Sequence, residues 1–422
     1  MLKIIAGNFS VRFFSALANL LIAIIISQSI GAAGKGEQSI ILLSITIILL
    51  FSNLIGGASI VYLTSRIGTQ NIIVTSYLWT SVVTVLCYFI LNLLPGLSMK
   101  YSISISLLSG LNSLSSINSS ILIGKEKIQK SNLVNLCIPA LTLLTIGFLF
   151  YYLGQMRIRS YLTASFLAYF TSFLLGSFFL FLEKSSNGKI HLGDIINTFK
   201  ALFFYGFQNQ LAHIFQLLNF RLNYFLLEAH SGQKAVGIYS NALSIAESIW
   251  LITGSICLYQ YARISNSTND EYARKLTEQF IKIGLFLAFI ALVIIILIPS
   301  SFYVWLFGKE FYQLNLVILY MAPGVWIFNY SLFLGHYFSG KGKFYVNALT
   351  SFGGLIITLI LSMIYVAKLD VFNSALIADI SYMVTASIVV FFYLKEGGRF
   401  VVFPTLNEIR KIKSLFGSKF SN

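Results

Sequence analysis

Charged residues are scarce in this sequence: they make up 10% of its 422 residues, whereas 57% are hydrophobic. A soluble protein of this length would need far more charge to cover its surface. The apolar residues instead fall in runs of about 20 or more, which is the length of helix that crosses a bilayer. The composition therefore excludes a soluble globular protein and predicts an all-α, polytopic membrane protein.

Twelve apolar runs follow one another along the chain, and each predicts one transmembrane helix. The first run is not a signal peptide, because Asn8 and Arg12 interrupt what would be its apolar core and eleven more runs follow it. The predicted spans cover residues 8–30, 38–63, 72–94, 102–123, 131–153, 159–182, 201–228, 234–261, 279–302, 312–338, 343–366 and 371–394.

Cysteines are few and a nucleotide-binding motif is missing. Cys87, Cys137 and Cys257 all lie inside predicted spans, which excludes a disulfide framework and a zinc pattern. No stretch matches the phosphate-binding loop G-x-x-x-x-G-K-[ST]. The predicted outer loops are short, whereas a membrane glycosyltransferase or polymerase needs large ones for its catalytic side chains. We therefore expect no enzyme, no catalytic residue, no cofactor and no metal.

Acidic residues are outnumbered by basic ones, and the net charge is +15. With the N-terminus inside, twenty Lys and Arg residues of the loops and termini lie on the cytoplasmic side and seven on the other. This asymmetry predicts that both termini are cytoplasmic and that the basic loops meet anionic lipid headgroups, not nucleic acid. After Pro404, Thr405 and Glu408 form a capping box, which predicts a short basic amphipathic helix on the membrane surface.

A repeat relates two glycine-containing loops. The stretch "IGAAGKGEQS" (Ile30–Ser39) and the stretch "SGQKAVGIYS" (Ser231–Ser240) share two glycines and a serine at an offset of 201 residues. Both follow the first span of a pair, so the chain is predicted to contain two pseudo-symmetric six-helix bundles around a central cavity, related by an axis along the membrane normal. The predicted regions are 1–183 and 201–394 for the bundles, 184–200 for a cytoplasmic linker, and 395–422 for a basic cytoplasmic tail.

Polar side chains form a stripe on one face of span 1, spaced i, i+4, i+7 and i+11: Asn8, Arg12, Ser15 and Asn19. The 201-residue offset places the first three on polar residues of span 7, namely Asn209, His213 and Gln216, and Asn219 and Asn223 lie near that face. A charge at the bilayer centre costs roughly 2.5–3.5 kcal/mol, so it normally faces protein or water. We predict a hydrated, substrate-binding cavity between spans 1 and 7. The alternative is that Arg12 reaches the inner headgroups and the amides hold helices together.

Other ionisable residues inside the spans are candidates for ion pairing or coupling. Arg221 and Glu247 lie at nearly equal depth in the hairpin of spans 7 and 8, so they are expected to pair, either as a structural lock or for substrate or proton handling. Asp379 has no partner that the sequence identifies. His213 titrates near neutral pH and is a candidate for coupling transport to protons.

Several stretches carry a family resemblance. They are the glycine–serine loop after span 1, "VGIYSNALSI" (Val236–Ile245), "LFGKEFYQLNLVILYMAPG" (Leu306–Gly324) and "GKGKFYVNAL" (Gly340–Leu349). In this order the chain resembles the polysaccharide transporter branch of the multidrug/oligosaccharidyl-lipid/polysaccharide flippase superfamily, the Wzx-type O-antigen and capsule flippases. The resemblance implies flipping of an undecaprenyl-diphosphate-linked oligosaccharide across the bacterial inner membrane by alternating access. It also implies polar and cationic cavity residues, at positions that Arg12 and His213 match.

Within this interpretation Arg12 would hold a phosphate, while the amides and Ser15 would bind sugar hydroxyls. An ion gradient, or consumption of the product outside, would drive the cycle. The expected partners are the lipid-linked oligosaccharide, the bilayer, a polysaccharide polymerase and a chain-length regulator. One alternative is a multidrug extruder of the same superfamily, which would need an acidic cavity. Another is a major-facilitator transporter, although "TSRIGTQN" (Thr64–Asn71) matches the signature loop of that fold poorly.

Overall fold

The computed structural model of the chain describes residues 2–64, 66–93, 100–183, 192–265, 267, 269–365 and 368–402. Within these ranges the chain forms helices joined by short turns and contains no strand. The all-α class predicted from the composition is thereby confirmed. The predicted amphipathic helix at Thr405 and Glu408 lies outside the described residues, and so do residues 184–191 of the predicted linker. Residues 192–200 of that linker are described and are helical.

Fourteen α-helices, numbered in chain order, occur in the described ranges. They are α1 (Leu2–Ser52), α2 (Gly57–Leu63), α3 (Thr69–Leu93), α4 (Ser102–Gly124), α5 (Ile128–Gly147), α6 (Ile158–Leu182), α7 (Leu192–Glu247), α8 (Trp250–Ser265), α9 (Asp270–Leu297), α10 (Ser300–Phe307), α11 (Leu314–Ile327), α12 (Asn329–Gly340), α13 (Phe344–Ile364) and α14 (Val371–Lys395). Side chains cap two of them: Asn269 accepts the N–H of Tyr272 at 3.0 Å in α9, and Asp370 accepts the N–H of Asn373 at 2.7 Å in α14.

Among the described residues, eight helical stretches are long and apolar enough to cross a bilayer, and the bent pair Gln210–Glu247 with Trp250–Tyr261 adds a ninth. Helices α1 and α7 have 51 and 56 residues, more than twice the length that one crossing requires. Each helix is therefore long enough to cross the bilayer twice. With this division, each of the twelve predicted spans coincides with a helical stretch of the structure.

Glycine breaks both of the long helices at equivalent positions. Gly31 in α1 has φ 77° and ψ −172°, and Gly232 in α7 has φ 76° and ψ 178°. This left-handed backbone region is open to glycine and costly for residues with a Cβ. The two breaks are 201 residues apart, so the offset found in the sequence is also an offset in backbone conformation. They divide α1 and α7 into the four helical segments that the predicted span pairs require.

The chain divides into two compact units, and the first comprises Met1–Leu217, Tyr224–Ser240 and Val304–Phe311. In it, buried hydroxyl groups join neighbouring helices. Ser115 of α4 and Ser172 of α6 share a hydrogen bond of 2.6 Å, and Ser172 also donates to the carbonyl of Val134 in α5 at 2.8 Å. Small polar residues of this kind let membrane helices pack closely.

The second unit comprises Leu218–Asn223, Asn241–Tyr303 and Tyr312–Asn422. Its described core is apolar and aromatic, with Phe333, Tyr337 and Phe338 of α12 fully buried. Gln260 of α8 donates both to Thr277 of α9 and to the carbonyl of Phe333. The described contacts thus divide the chain into two compact units. The boundaries that the sequence predicts for the two bundles, the linker and the tail stay predictions.

Candidate functional site

The two glycine hairpins, Ile30–Ser39 and Ser231–Ser240, pack against each other through backbone atoms. A Cβ atom on Gly36 would lie 1.8 Å from the carbonyl oxygen of Gln233, and one on Gly237 would lie 1.9 Å from the carbonyl oxygen of Ala32. Gln233 follows Ala32 by the same 201 residues that separate the two glycines. The contact is therefore reciprocal, and only glycine at both positions allows it.

A serine pair extends this reciprocal contact. The Ser39 hydroxyl donates to Oγ of Ser240 at 2.9 Å, and Ser240 donates in turn to the carbonyl of Gly237 at 3.1 Å. Both side chains are buried. Gly36 thus meets its counterpart Gly237, and Ser39 meets its counterpart Ser240, so these positions have a packing role and do not form a phosphate loop.

Glu310 anchors the hairpins, which the sequence did not predict. Its Oε2 accepts the N–H of Ala32 at 2.7 Å, and its Oε1 lies 3.0 Å from Nζ of Lys234. The break at Gly31 leaves unpaired N–H groups at the start of the next helical segment, and a carboxylate is the natural partner for such a start. The N–H of Ala32 and the ammonium of Lys234 hold the pKa of Glu310 below its usual value.

Four residues of the predicted substrate face have described side chains with accessible surface. Asn19 and His213 are exposed, and Ser15 and Gln216 are half-buried. Within the described part of the chain none of the four has a hydrogen-bond partner. The side chains of Asn8, Arg12 and Asn209 lie outside the described residues. The four described side chains are therefore available to a polar ligand, and the cavity itself stays a prediction.

Asn219 and Asn223 have a different environment, because both are buried and hydrogen-bonded. The Asn219 amide bonds three hydroxyls of α13 and α14, those of Thr358, Ser381 and Thr385, at 2.8, 2.5 and 3.3 Å. Asn223 accepts from Ser362 and donates to the carbonyl of Ser374, both at 3.3 Å. These amides join helices, which was the alternative interpretation of the sequence. In this structure both amides are engaged with α13 and α14, and their predicted contact with the substrate stays a prediction.

Arg221 and Glu247 form a two-pronged ion pair in the second unit. The guanidinium reaches both carboxylate oxygens, at 2.9 and 2.6 Å, and the hydroxyl of Tyr382 donates to the same carboxylate at 2.9 Å. Four aromatic rings adjoin the pair, with centroids 4.7 to 5.6 Å apart: Phe220, Trp250, Phe328 and Tyr382. A fork–fork pair beside an aromatic cluster is geometrically specific, and loss of either partner would leave the other charge uncompensated.

Asp379 has a backbone partner that sequence reasoning did not find. Its carboxylate accepts the N–H of Gly324, the residue after Pro323 in α11. A Cβ on Gly324 would lie 2.4 Å from the carbonyl oxygen of Asp379, so α11 and α14 approach very closely here. The contact gives one oxygen of the buried carboxylate a hydrogen-bond donor. Within the described ranges no three His, Cys, Asp or Glu side chains lie together in a way that would hold a metal ion.

Comparison with known proteins identifies the fold. No protein-family model matches the sequence. Over 216 residues, 50% of this chain, it is 26% identical to the capsular polysaccharide biosynthesis protein CapF of Staphylococcus aureus, and the match spans 54% of that relative. Only about half the length of this curated relative is therefore covered.

Solved structures match over nearly the whole chain. A multidrug resistance transporter of the MATE family in the MOP superfamily, in an inward-facing conformation, has a TM-score of 0.72 at 16% identity and covers 93% of this chain and 98% of its own. The lipid II flippase MurJ, in an inward closed conformation, has a TM-score of 0.68 at 14% identity and covers 98% and 93%. The chain shares the fold of these two solved structures. With the CapF match, this supports the resemblance to the polysaccharide flippase branch.

Proposed function

We propose that this protein is a flippase that moves an undecaprenyl-diphosphate-linked oligosaccharide, an O-antigen or capsule repeat unit, from the inner to the outer leaflet. Two comparisons support the proposal. The sequence relative is named for capsular polysaccharide biosynthesis, and one structural neighbour is a flippase of lipid II. The location would be the bacterial cytoplasmic membrane with both termini inside, which follows from the distribution of basic loops.

The observation that carries the proposal is the set of accessible polar side chains on otherwise apolar segments: Ser15, Asn19, His213 and Gln216. An oligosaccharide diphosphate is polar and anionic, so it cannot cross about 30 Å of hydrocarbon unaided. Amide, hydroxyl and imidazole groups offer the donors and acceptors that replace water around sugar hydroxyls. They would line the path of the head group while the prenyl chain stays at hydrocarbon depth in the membrane.

Arg12 would bind the diphosphate in this mechanism. Its guanidinium presents a planar set of donors that bonds two phosphate oxygens at once, whereas lysine is a point charge. His213, at the position 201 residues later, would exchange protons and couple the cycle to a proton gradient. Consumption of the product by a polysaccharide polymerase, with its chain-length regulator, would also pull transport outward.

A multidrug extruder of the same superfamily is the second candidate, because a MATE transporter shares the fold. A cationic drug needs an available carboxylate within the membrane-spanning part. Glu247 is bonded to Arg221 and Tyr382, and Asp379 is bonded to Gly324. The two carboxylates of the second unit that lie inside predicted spans are thus already engaged, which favours the flippase for that unit. In the first unit Glu228 is the last residue of predicted span 7.

Complementation of surface polysaccharide tests the proposal. In a strain that lacks the gene, we expect Arg12→Ala to abolish surface polysaccharide and Arg12→Lys to retain part of it, because lysine keeps the charge without the fork. Leu17→Ala, at an exposed apolar position of the same helix, is the control and should support normal polysaccharide. Wild-type polysaccharide with Arg12→Ala would show that this arginine does not hold the phosphate.

A further inference from the structure

An apolar groove runs along the first unit, outside the predicted substrate face. It has a volume of about 1150 Å³ and lies between the second segment of α1, helix α3 and the end of the first segment of α7. Phe51, Trp79, Leu86, Cys87 and Ile90 form much of its wall. The groove is open along one side, since Leu86 and Ile90 are 55% and 54% exposed.

The position of the groove in the bilayer limits what fills it. Its walls belong to predicted spans 2, 3 and 7, so its length lies at hydrocarbon depth. At the inner end Nε1 of Trp79 donates to the carbonyl of Phe51 at 3.2 Å, and Ser44 adds one hydroxyl to walls that are otherwise mainly apolar along this length. Water gains few hydrogen bonds in such a space, whereas an apolar chain gains contact with the walls.

All charged residues of the groove lie at its other end, on the predicted outer side. Lys100 and Glu228 line that end together with Gln233 of the second glycine hairpin. The Lys100 side chain is 60% exposed, and its Nζ lies 3.2 Å from Glu37. An amphiphile therefore fits in one direction, with its apolar chain toward the membrane centre and its head group at the outer surface.

We infer that this groove seats the prenyl chain of the flipped substrate on the outer-leaflet side, with its diphosphate beside Lys100. The inference rests on the proposed function. The cation of Lys100 suits a phosphate, while the carboxylate of Glu228 and the amide of Gln233 suit sugar hydroxyls. Because Gly232 and Gln233 belong both to the groove wall and to the hairpin, a chain seated here keeps its head at the contact between the hairpins.

Photolabelling tests the groove directly. The purified full-length chain is reconstituted into phosphatidylcholine vesicles with a polyprenyl diphosphate that carries a diazirine in its chain, and labelled peptides are mapped by mass spectrometry. We expect labelling of α3 between Trp79 and Leu91. Leu86→Trp, which fills the groove, should reduce this labelling about tenfold, the equivalent of about 1.4 kcal/mol. Lys100→Gln should weaken capture of the diphosphate probe and leave capture of the matching polyprenol unchanged.

Leu78→Trp is the matched control. Leu78 lies on the same helix and is also 55% exposed, but it does not line the groove, so labelling should stay at the wild-type level. A phosphatidylcholine probe with a diazirine in its acyl chain provides the comparison lipid. If that probe labels the groove as strongly as the prenyl probe, or if Leu86→Trp leaves labelling unchanged, the inference is wrong.

A flipping assay on the same vesicles separates this inference from the proposed function. Labelling of the groove by the prenyl probe without any movement of a lipid-linked oligosaccharide would support the prenyl site and contradict the flippase. Normal movement of the oligosaccharide by a protein that shows no groove labelling would support the flippase and contradict the prenyl site.

Discussion

The two glycine hairpins have the same backbone conformation, but the helices that lead into them bury different kinds of side chain. Gly31 and Gly232 break their helices with φ and ψ values that agree within about ten degrees. On the helix that precedes each break, however, the buried positions differ in kind. Ala18 and Ile22 are buried apolar residues in the first copy, and their counterparts 201 residues later are the hydrogen-bonded amides Asn219 and Asn223.

The ion pair also differs between the two copies of the repeat. Arg221 and Glu247, on the helical segments before and after Gly232, bond to each other, whereas the positions 201 residues earlier are Leu20 and Thr46. The repeat has therefore kept the residues that the reciprocal backbone contact requires and has exchanged side chains elsewhere. Close backbone approach tolerates only glycine, while a helix interior accepts either apolar packing or a satisfied polar network.

Adding a methyl group at the reciprocal contact should have the largest effect. Gly36→Ala and Gly237→Ala each force a Cβ into a carbonyl oxygen of the other hairpin, so we expect losses of about 3 kcal/mol or more and little folded protein. Gly147→Ala is the control, because a Cβ on this helical glycine of the same unit would meet no atom within 4 Å.

Yield of monodisperse protein in detergent and the thermal midpoint measure this effect. Equal stability of Gly36→Ala and Gly147→Ala would contradict a reciprocal contact that depends on glycine.

Replacing Arg221 and Glu247 with Leu and Thr, their counterparts in the first copy of the repeat, should have the next largest effect. Arg221→Leu alone or Glu247→Thr alone leaves one half-buried charge without its partner, and each should lose about 3 kcal/mol. The double variant removes both charges and should be more stable than either single variant. Thermal unfolding of all three proteins measures the coupling, and additive losses would show that the pair is not energetically linked.

Exchanging the buried amide should have an intermediate effect. Asn219→Ala introduces the residue of the first copy and removes three hydrogen bonds, so we expect a loss of about 1–3 kcal/mol. The neighbouring comparison in the first copy is Asn19→Ala. Asn19 is exposed, so its removal should change stability by less than about 0.5 kcal/mol.

The rate of transport, measured on folded protein, should fall more with Asn19→Ala than with Asn219→Ala. Asn19→Ala should reduce oligosaccharide transport in folded protein, because the exposed amide is proposed to bind the substrate. An unstable Asn19→Ala variant would show that this amide has a packing role like that of Asn219.

Lowering the pH should produce the smallest effect, at the anchor of the first hairpin. Glu310 has a lowered pKa in the folded protein, so its contribution to stability is present above its ordinary pKa of about 4.3 and is lost as the pH falls through the lowered value. Below pH 5 the thermal midpoint of the wild type should fall more steeply than that of Glu310→Gln. Glu126→Gln, at an exposed carboxylate, is the control, and identical slopes for the wild type and Glu310→Gln would contradict the role of Glu310.

The sequence predicted those features that depend on local pattern. Apolar run lengths predicted the twelve spans, and the spacing of Gly31, Gly36 and Ser39 predicted the repeat, because both signals lie within neighbouring residues. The hairpin geometry also led to the expectation that Arg221 and Glu247 pair. Only 26 residues separate these two, and the intervening break at Gly232 sets their depth.

Features that depend on distant segments could not be read in the same way. Glu310 reaches Ala32 across 278 residues, and Asp379 reaches Gly324 across 55. The burial of the amide side chains likewise depends on distant helices. Asn19 and Asn219 were both assigned to the polar side of their spans, yet helices α13 and α14 cover Asn219, while Asn19 is exposed. Pattern alone does not show which face of a membrane helix a later helix will cover.

Movement of a lipid-linked oligosaccharide in vesicles tests the central claim most directly. The purified chain is reconstituted with a fluorescent undecaprenyl-diphosphate oligosaccharide, and the fraction of head groups that a membrane-impermeant quencher reaches is followed over time. Our account predicts that the wild type equilibrates the head groups between leaflets and that Arg12→Ala does not, at equal reconstitution. Head groups that stay in their original leaflet with the wild type, in vesicles that export a cationic dye, would contradict the flippase and favour a drug extruder.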